Sequence, residues 1–202
     1  MIPNTIHYIW LGKGIRNLLI QKCIKSWYLI HPNWKINCWN EDNLPLSHPY
    51  VALALQHKQF AFASDYLRFW VLNSFGGVYL DTDMELIKPL DSLLVNNAFM
   101  GYESINRINA GIVGGCAGNS FFLKVMAEYE HIAKNNKFEI ICDVLTRVYC
   151  VSDPITIMPI KYFYPYNPYS TNPMDKLSNL LYSDISEETY SIHHWNKSWA
   201  IH

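Results

Sequence analysis

Short stretches that alternate apolar and polar positions give way repeatedly to apolar positions at helical spacing. Residues 5–10 read as a first strand, closed by Gly12 and Gly14. Leu19, Cys23, Ser26, Trp27 and Ile30 then fall on one helical face, which predicts a helix to about His31, stopped by Pro32. Residues 34–39 alternate as a second strand would. A looser region with Pro45 and Pro49 leads into a helix through residues 52–56. Residues 58–73 hold neither Pro nor Gly and fit a longer helix, with Gly76 and Gly77 past its end. Val78, Tyr79 and Leu80 make a short strand that stops at Asp81-Thr82-Asp83. Two further strands are expected at residues 98–102 and 111–114. Asn119 is placed to cap a helix whose face is Phe122, Met126, Tyr129 and Ala133. Beyond Pro154 the chain is rich in Tyr and Pro and reads as irregular, with a last strand over residues 190–194. This alternation predicts an α/β fold with a mostly parallel sheet flanked by helices. Ligands of such sheets sit beyond the carboxyl ends of the strands, where Trp10 and the Asp81/Asp83 pair both fall.

Composition narrows the class. Half of the 202 residues are hydrophobic and 16% are charged, which excludes disorder for most of the chain and fits one domain over residues 1–202. Sixteen basic residues against seventeen acidic ones give a net charge of −1, unlike a generic nucleic-acid binder. Seven Trp and fourteen Tyr suit a large core and stacking on sugars or bases. The best apolar run, residues 18–30, is broken by Gln21, Lys22 and Lys25 and is too short to span a bilayer. The first residues lack the pattern of a secretory signal. Five widely spaced cysteines without a C-x-x-C read as reduced thiols rather than a zinc site, and so as a cytoplasmic protein.

The chemistry concentrates between residues 58 and 83. Asp81 and Asp83, two apart on extended chain, would point to the same side and repel each other unless a cation lies near. Oxygen ligands suit Mg²⁺ or Mn²⁺. Asp65 and Arg68 share a helix face. Their neighbours Phe62, Tyr66, Leu67, Phe69 and Trp70 imply burial, and buried charges need partners.

The block K-Q-F-A-F-A-S-D-Y-L-R-F-W-V-L-N-S-F-G-G-V-Y-L-D-T-D at residues 58–83 resembles glycosyltransferases with a DXD sugar-nucleotide region. These include bacterial capsule and polysaccharide enzymes, with fungal initiating mannosyltransferases and clostridial glucosylating toxins as more distant relatives. Three further segments are similar to that family in the same order: I-H-Y-I-W-L-G at 6–12, S-W and H-P-N-W at 26–34, and I-H-H-W with S-W at 192–199. The resemblance implies a GT-A fold, a nucleotide-sugar donor, a divalent metal (Mn²⁺ or Mg²⁺) and retention of anomeric configuration. Carried over by position, it implies that Ile9 and Trp10 hold the donor base and that Asp65 and Arg68 hold the sugar and phosphate. Tyr79 and Asp81 would contact the diphosphate, ribose and metal shell, with Asp83 the direct metal ligand. Asn109 would lie near the transferred sugar, and Ser198 and Trp199 would close over the diphosphate. Of His193 and His194, only one can face the metal from a strand; the resemblance points to His193.

The implied reaction moves a hexose, with a UDP-sugar as the expected donor, onto a saccharide or lipid-linked acceptor in surface polysaccharide assembly. A lipid-linked acceptor would place the enzyme peripherally at the inner membrane face. Tyr162, Phe163, Tyr164, Tyr166 and Tyr169 are open between an acceptor groove, a membrane-facing edge and a core or dimer contact. Rival readings are an inactive fold that still binds sugar nucleotides, a lectin-like carbohydrate-binding module, and a haloacid-dehalogenase-type phosphohydrolase. In the last, the D-x-D would stand nearer the N-terminus and be followed differently. The G-I-V-G-G-C-A-G stretch lacks the spacing of a dinucleotide loop.

Overall fold

A computed structural model of the chain describes residues 1–170, 172–173 and 176–196. Its frame is a six-stranded sheet in the order β2-β1-β3-β6-β5-β7. β1 (Thr5–Ile9) pairs in parallel with β2 (Lys35–Trp39) and with β3 (Gly77–Leu80). β6 (Arg107–Gly115) runs antiparallel between β3 and β5 (Ala98–Ser104), and β7 (Thr156–Met158) adds a parallel edge to β5. Parallel pairs therefore predominate, three to two. β4 (Met84–Leu86) and β8 (Ser191–His193) form a separate antiparallel ribbon. The expected last strand is thus shorter than residues 190–194 and lies outside the main sheet. Met84 opposite His193, Glu85 opposite Ile192 and Leu86 opposite Ser191 give it three rungs.

Two apolar layers cover the sheet. On one side α2 (Pro49–Gln56), α3 (Phe60–Phe75), α4 (Ser120–Lys134) and α5 (Ile141–Val148) bury Tyr50, Leu67, Phe69, Phe122, Tyr129 and Leu145. On the other, α1 (Leu18–Ile30) and α6 (Ile160–Phe163) pack Trp27 and Phe163 against Ile6, Val78, Phe99 and Ile112. Phe163, Tyr164 and Tyr166 are core residues, which resolves the open reading of the Tyr-rich stretch for these three. That stretch is also more regular than expected, since it holds β7 and α6.

Local signals place these elements. Asn17 and Asn119 cap α1 and α4, accepting from the Ile20 and Phe121 amides at 3.0 and 2.9 Å. α3 stops at Gly76, whose φ of 64° favours glycine. Gly77, at φ 104°, passes so close to β1 that a Cβ would stand 2.7 Å from the Thr5 carbonyl oxygen. This tight α3–β3 turn returns the chain directly into the sheet. His7, buried on β1, fastens it by hydrogen-bonding the Gly76 carbonyl oxygen at 2.9 Å, while its Nδ1 accepts from Trp39 Nε1 at 3.0 Å. Burial lowers its pKa to about 4, so it serves the fold as a neutral ring. No described helix is long and apolar enough to cross a membrane. All five cysteines are free.

Candidate active site

The end of β3 gathers the charged residues. The Asp81 amide donates to the Gly111 carbonyl oxygen at 2.7 Å, one step beyond the β3–β6 ladder. The chain then turns, with Met84 N donating to Asp81 O at 3.0 Å, and re-enters as β4. The two carboxylates therefore converge across a tight turn, not by strand alternation as expected. Asp81, Asp83 and His193 bring ligand atoms within 4.8 Å of one another. β8 supplies the histidine because the β4–β8 ribbon sets His193 opposite Met84. His193 Nε2 stands 3.3 Å from Asp83 Oδ1. His194 faces away and pairs with Glu85 at 2.7 Å. Strand alternation thus separates the adjacent histidines.

Beneath the cluster lies a buried charge relay. Arg68, 4% exposed, donates to Asp65 at 2.7 Å, to the Ala110 carbonyl oxygen at 2.7 Å and to Asp81 Oδ2 at 3.3 Å. Its guanidinium also lies 4.8 Å from the Tyr79 ring centre, and the Tyr79 hydroxyl donates to Asp81 Oδ1 at 3.0 Å. The helical i, i+3 spacing of Asp65 and Arg68 thus serves a buried pair that anchors Asp81.

Electrostatics divides the carboxylates. Burial raises the pKa of Asp65 to about 7 against the pull of Arg68. Burial also raises Asp81, opposed by Arg68 and assisted by the negative charge of Asp83. Burial would raise Asp83 as well, but His193 and the Asn196 amide, 2.8 Å away, outweigh it and hold it at about 2. His193 moves upward: burial opposes its charge, and Asp83 and Asp81 overcome that. Its Nδ1 is buried without a hydrogen-bond partner. An acid-rich cluster with hard oxygens, one imidazole and an orphaned ring nitrogen fits a divalent cation held by Asp81, Asp83 and His193.

Asn109 lies beside this group through the Ala110–Gly111 backbone, yet its amide is already committed. Nδ2 donates to Glu103 at 2.5 Å, while Oδ1 accepts from Gly111 N at 2.6 Å and from the Tyr164 hydroxyl at 3.0 Å. Glu103, on β5, also receives Arg107 Nε at 2.7 Å. Glu103 carries no local sequence signal, and Tyr164 stands out only as one of a Tyr-rich stretch, because Asn109 is brought to them by the sheet and by α6. Ile9 is buried in the core, so its side chain is packing. Trp10 follows it at the end of β1, half-buried, with Nε1 donating to the Gly14 carbonyl oxygen at 2.9 Å. It borders a pocket of about 460 Å³ lined by Lys13, Gly14, Ile15, Arg16 and Gln21. The Arg16 guanidinium stands 5.5 Å from the Trp10 ring centre. Ser198 and Trp199 lie outside the described residues.

The run containing Asp65, Arg68 and the Asp81/Asp83 turn is also what comparison with known proteins picks out. Residues 19–100 match the family described as "Glycosyltransferase sugar-binding region containing DXD motif". Asp81-Thr82-Asp83 is the D-x-D within that match. The chain is 26% identical over 143 residues to mannosyl phosphorylinositol ceramide synthase CSH1 of Saccharomyces cerevisiae, covering 67% of this chain and 37% of that protein. It spans about two fifths of the length of the curated fungal relatives it matches. An uncharacterized glycosyltransferase, L373, of Acanthamoeba polyphaga mimivirus is 25% identical over 225 residues, covering 100% of this chain and 85% of that one. Among solved structures, the galactosyltransferase LgtC in complex with donor and acceptor sugar analogues superposes with a TM-score of 0.52 at 14% identity, covering 96% of this chain and 90% of that one. That likeness shows the fold around the DXD region to be GT-A.

Proposed function

We propose that this protein is a metal-dependent, retaining glycosyltransferase that moves a hexose from a nucleotide sugar, a UDP-sugar being our donor, to a saccharide or lipid-linked acceptor. Surface polysaccharide assembly is the role in which we place it, with residues 1–202 acting as one GT-A unit. The observation that carries the reading is the convergence of Asp81, Asp83 and His193 above the buried Asp65–Arg68 pair. Hexose fits the names of the relatives, one a mannosyl transfer enzyme and one a galactosyltransferase.

Each residue has a task on this reading. Asp81, Asp83 and His193 would hold Mn²⁺ or Mg²⁺, which would supply charge neutralisation for the departing nucleoside diphosphate. Arg68 fixes Asp81 from below, and with Tyr79 keeps its carboxylate aimed at the cleft. Trp10 offers a ring face to the donor base, beside Lys13 and Arg16. Asp65 completes the donor subsite through Arg68. Ser198 and Trp199 are assigned to the diphosphate. Asn109, held by Glu103 and Tyr164, shapes the wall beside the sugar.

Neither DXD carboxylate is free to attack carbon. Asp81 is engaged by Arg68 and Tyr79, and Asp83 by His193 and Asn196. We therefore assign front-face substitution. The acceptor oxygen bonds to the anomeric carbon as the bond from that carbon to the diphosphate oxygen breaks. The acceptor proton passes to the leaving diphosphate. Holding donor and acceptor in that geometry supplies much of the rate.

A donor screen tests this. The purified protein is incubated with UDP-, GDP- and dTDP-linked sugars, with Mn²⁺ or with EDTA, and released nucleoside diphosphate is measured. Metal-dependent release from a UDP-sugar is expected. Binding of no donor in the presence of Mn²⁺ would overturn the reading in favour of an inactive fold.

A further inference from the structure

The least explained surface of the molecule is the outward side of α1 and the loop before it. Leu18, Lys22, Lys25 and Leu29 recur at i, i+4, i+7 and i+11, one stripe along the helix. The opposite side buries Ile20, Cys23 and Trp27, so the stripe faces solvent. Leu18 is 66% exposed, Leu29 is 69%, and Ile15 just ahead of the helix is 96%. Lys13, Lys22 and Lys25 are exposed beside them.

Charge sets this surface apart. Residues 11–30 contain Lys13, Arg16, Lys22 and Lys25 and no Asp or Glu, although the whole chain is balanced at −1. Two carboxylates border it from other elements. Glu85 feels Lys22 but is bonded to His194, and Glu41 accepts from the Gly12 amide at 2.6 Å. A stripe that mixes exposed Leu and Ile with Lys is poor material for a protein interface, whose core is depleted in Lys. It matches an interfacial helix on a lipid surface, where apolar side chains enter the acyl boundary and lysines reach anionic headgroups.

We propose that this face docks the protein onto a membrane containing anionic phospholipid. The surface is continuous with the pocket beside Trp10, since Lys13, Ile15, Arg16 and Gln21 line that pocket. Docking would bring the donor end of the site to the lipid, which on the transferase reading serves a lipid-linked acceptor. The docking itself does not depend on that reading and is tested without donor, acceptor or metal.

The test is co-sedimentation of the full chain with phosphatidylcholine vesicles, with and without phosphatidylserine. Retention on the phosphatidylserine vesicles is expected, weakening as salt is raised. Lys22→Gln and Lys25→Gln should each lower the partition coefficient about fivefold. Leu18→Ser with Leu29→Ser should lower it further while leaving the circular dichroism spectrum unchanged, because both leucines are exposed. Equal binding to neutral vesicles, binding to neither, or wild-type binding by these variants would overturn the proposal. So would a dimer, seen by sedimentation without vesicles, that the double leucine variant abolishes, since the stripe would then be an interface between copies.

Discussion

Asp83 and His193 are shifted in opposite directions, and both shifts favour the charged pair. Asp83 is held at about 2, so its contribution to stability is complete above its ordinary value of 3.8 and is lost as pH falls through about 2. His193 is raised, so its contribution is complete below its ordinary value of 6.5 and is lost as pH rises through the higher folded value. The metal-free protein should therefore melt highest between about pH 4 and 6.5 as far as this pair is concerned. It should soften on the alkaline side, and His193→Asn should flatten that limb in a series of thermal melts. A metal must displace the same proton, so Mn²⁺ affinity measured by titration calorimetry should rise with pH over that alkaline range. In Asp83→Ala, metal-dependent turnover should vanish with the far-ultraviolet dichroism intact. Normal turnover in that variant would remove Asp83 from the metal. Trp10→Ala should weaken donor binding by about 1–3 kcal/mol if the ring stacks on the base; an unchanged donor affinity would make Trp10 a packing residue.

At the scale of elements, the α3–β3 turn decides where the carboxylates stand. Gly77 combines a left-handed φ with a neighbouring backbone oxygen, so Gly77→Ala should destabilise the fold by about 1–3 kcal/mol in urea unfolding. Trp27 works from the other side of the sheet: its Nε1 donates to the Met84 carbonyl oxygen at 2.7 Å and so pins β4 to α1. Trp27→Phe keeps most of the bulk but orphans that oxygen, at a cost of about 1–3 kcal/mol. The longer elements were legible in the sequence because period and punctuation agreed: α1 up to Pro32, and α3 up to its glycine stop. The pairing of Asp65 with Arg68 was legible from helical spacing, the Asp81-x-Asp83 pair from its place at the end of a strand, and the preference for His193 only from the family resemblance. Three-residue strands such as β4 and β7 are too short to show a period, and α5 spans little more than two turns. The geometry of the Asp81–Asp83 turn was misread because Met84 N closes it onto Asp81 O, which extended chain would not do. Glu103 was not singled out and Tyr164 only as part of a Tyr-rich stretch, because the contacts that matter to them are with Asn109, 6 and 55 residues away in the chain.

Across the whole molecule, the candidate site is an assembly rather than a motif. α3, β3, the β6 backbone, the turn into β4 and the β8 strand each contribute one part, and no single element holds enough of it to bind anything alone. A nucleoside diphosphate with Mn²⁺ should therefore stabilise the fold as a unit, by about 2.7 kcal/mol at a hundredfold excess over Kd, seen as a rise in Tm that EDTA abolishes. The β4–β8 ribbon gives this assembly an order in time. His193 and Asn196 fold back onto Asp83 across a sequence separation of up to 113 residues. A ribosome making this chain has synthesised every strand of the main sheet before it adds the histidine. A nascent or prematurely ended chain that stops short of β8 thus carries the residues of the sheet, the Arg68 anchor and both aspartates, but not the third corner of the cluster. The third corner of the cluster is therefore added only after every strand of the main sheet has been made.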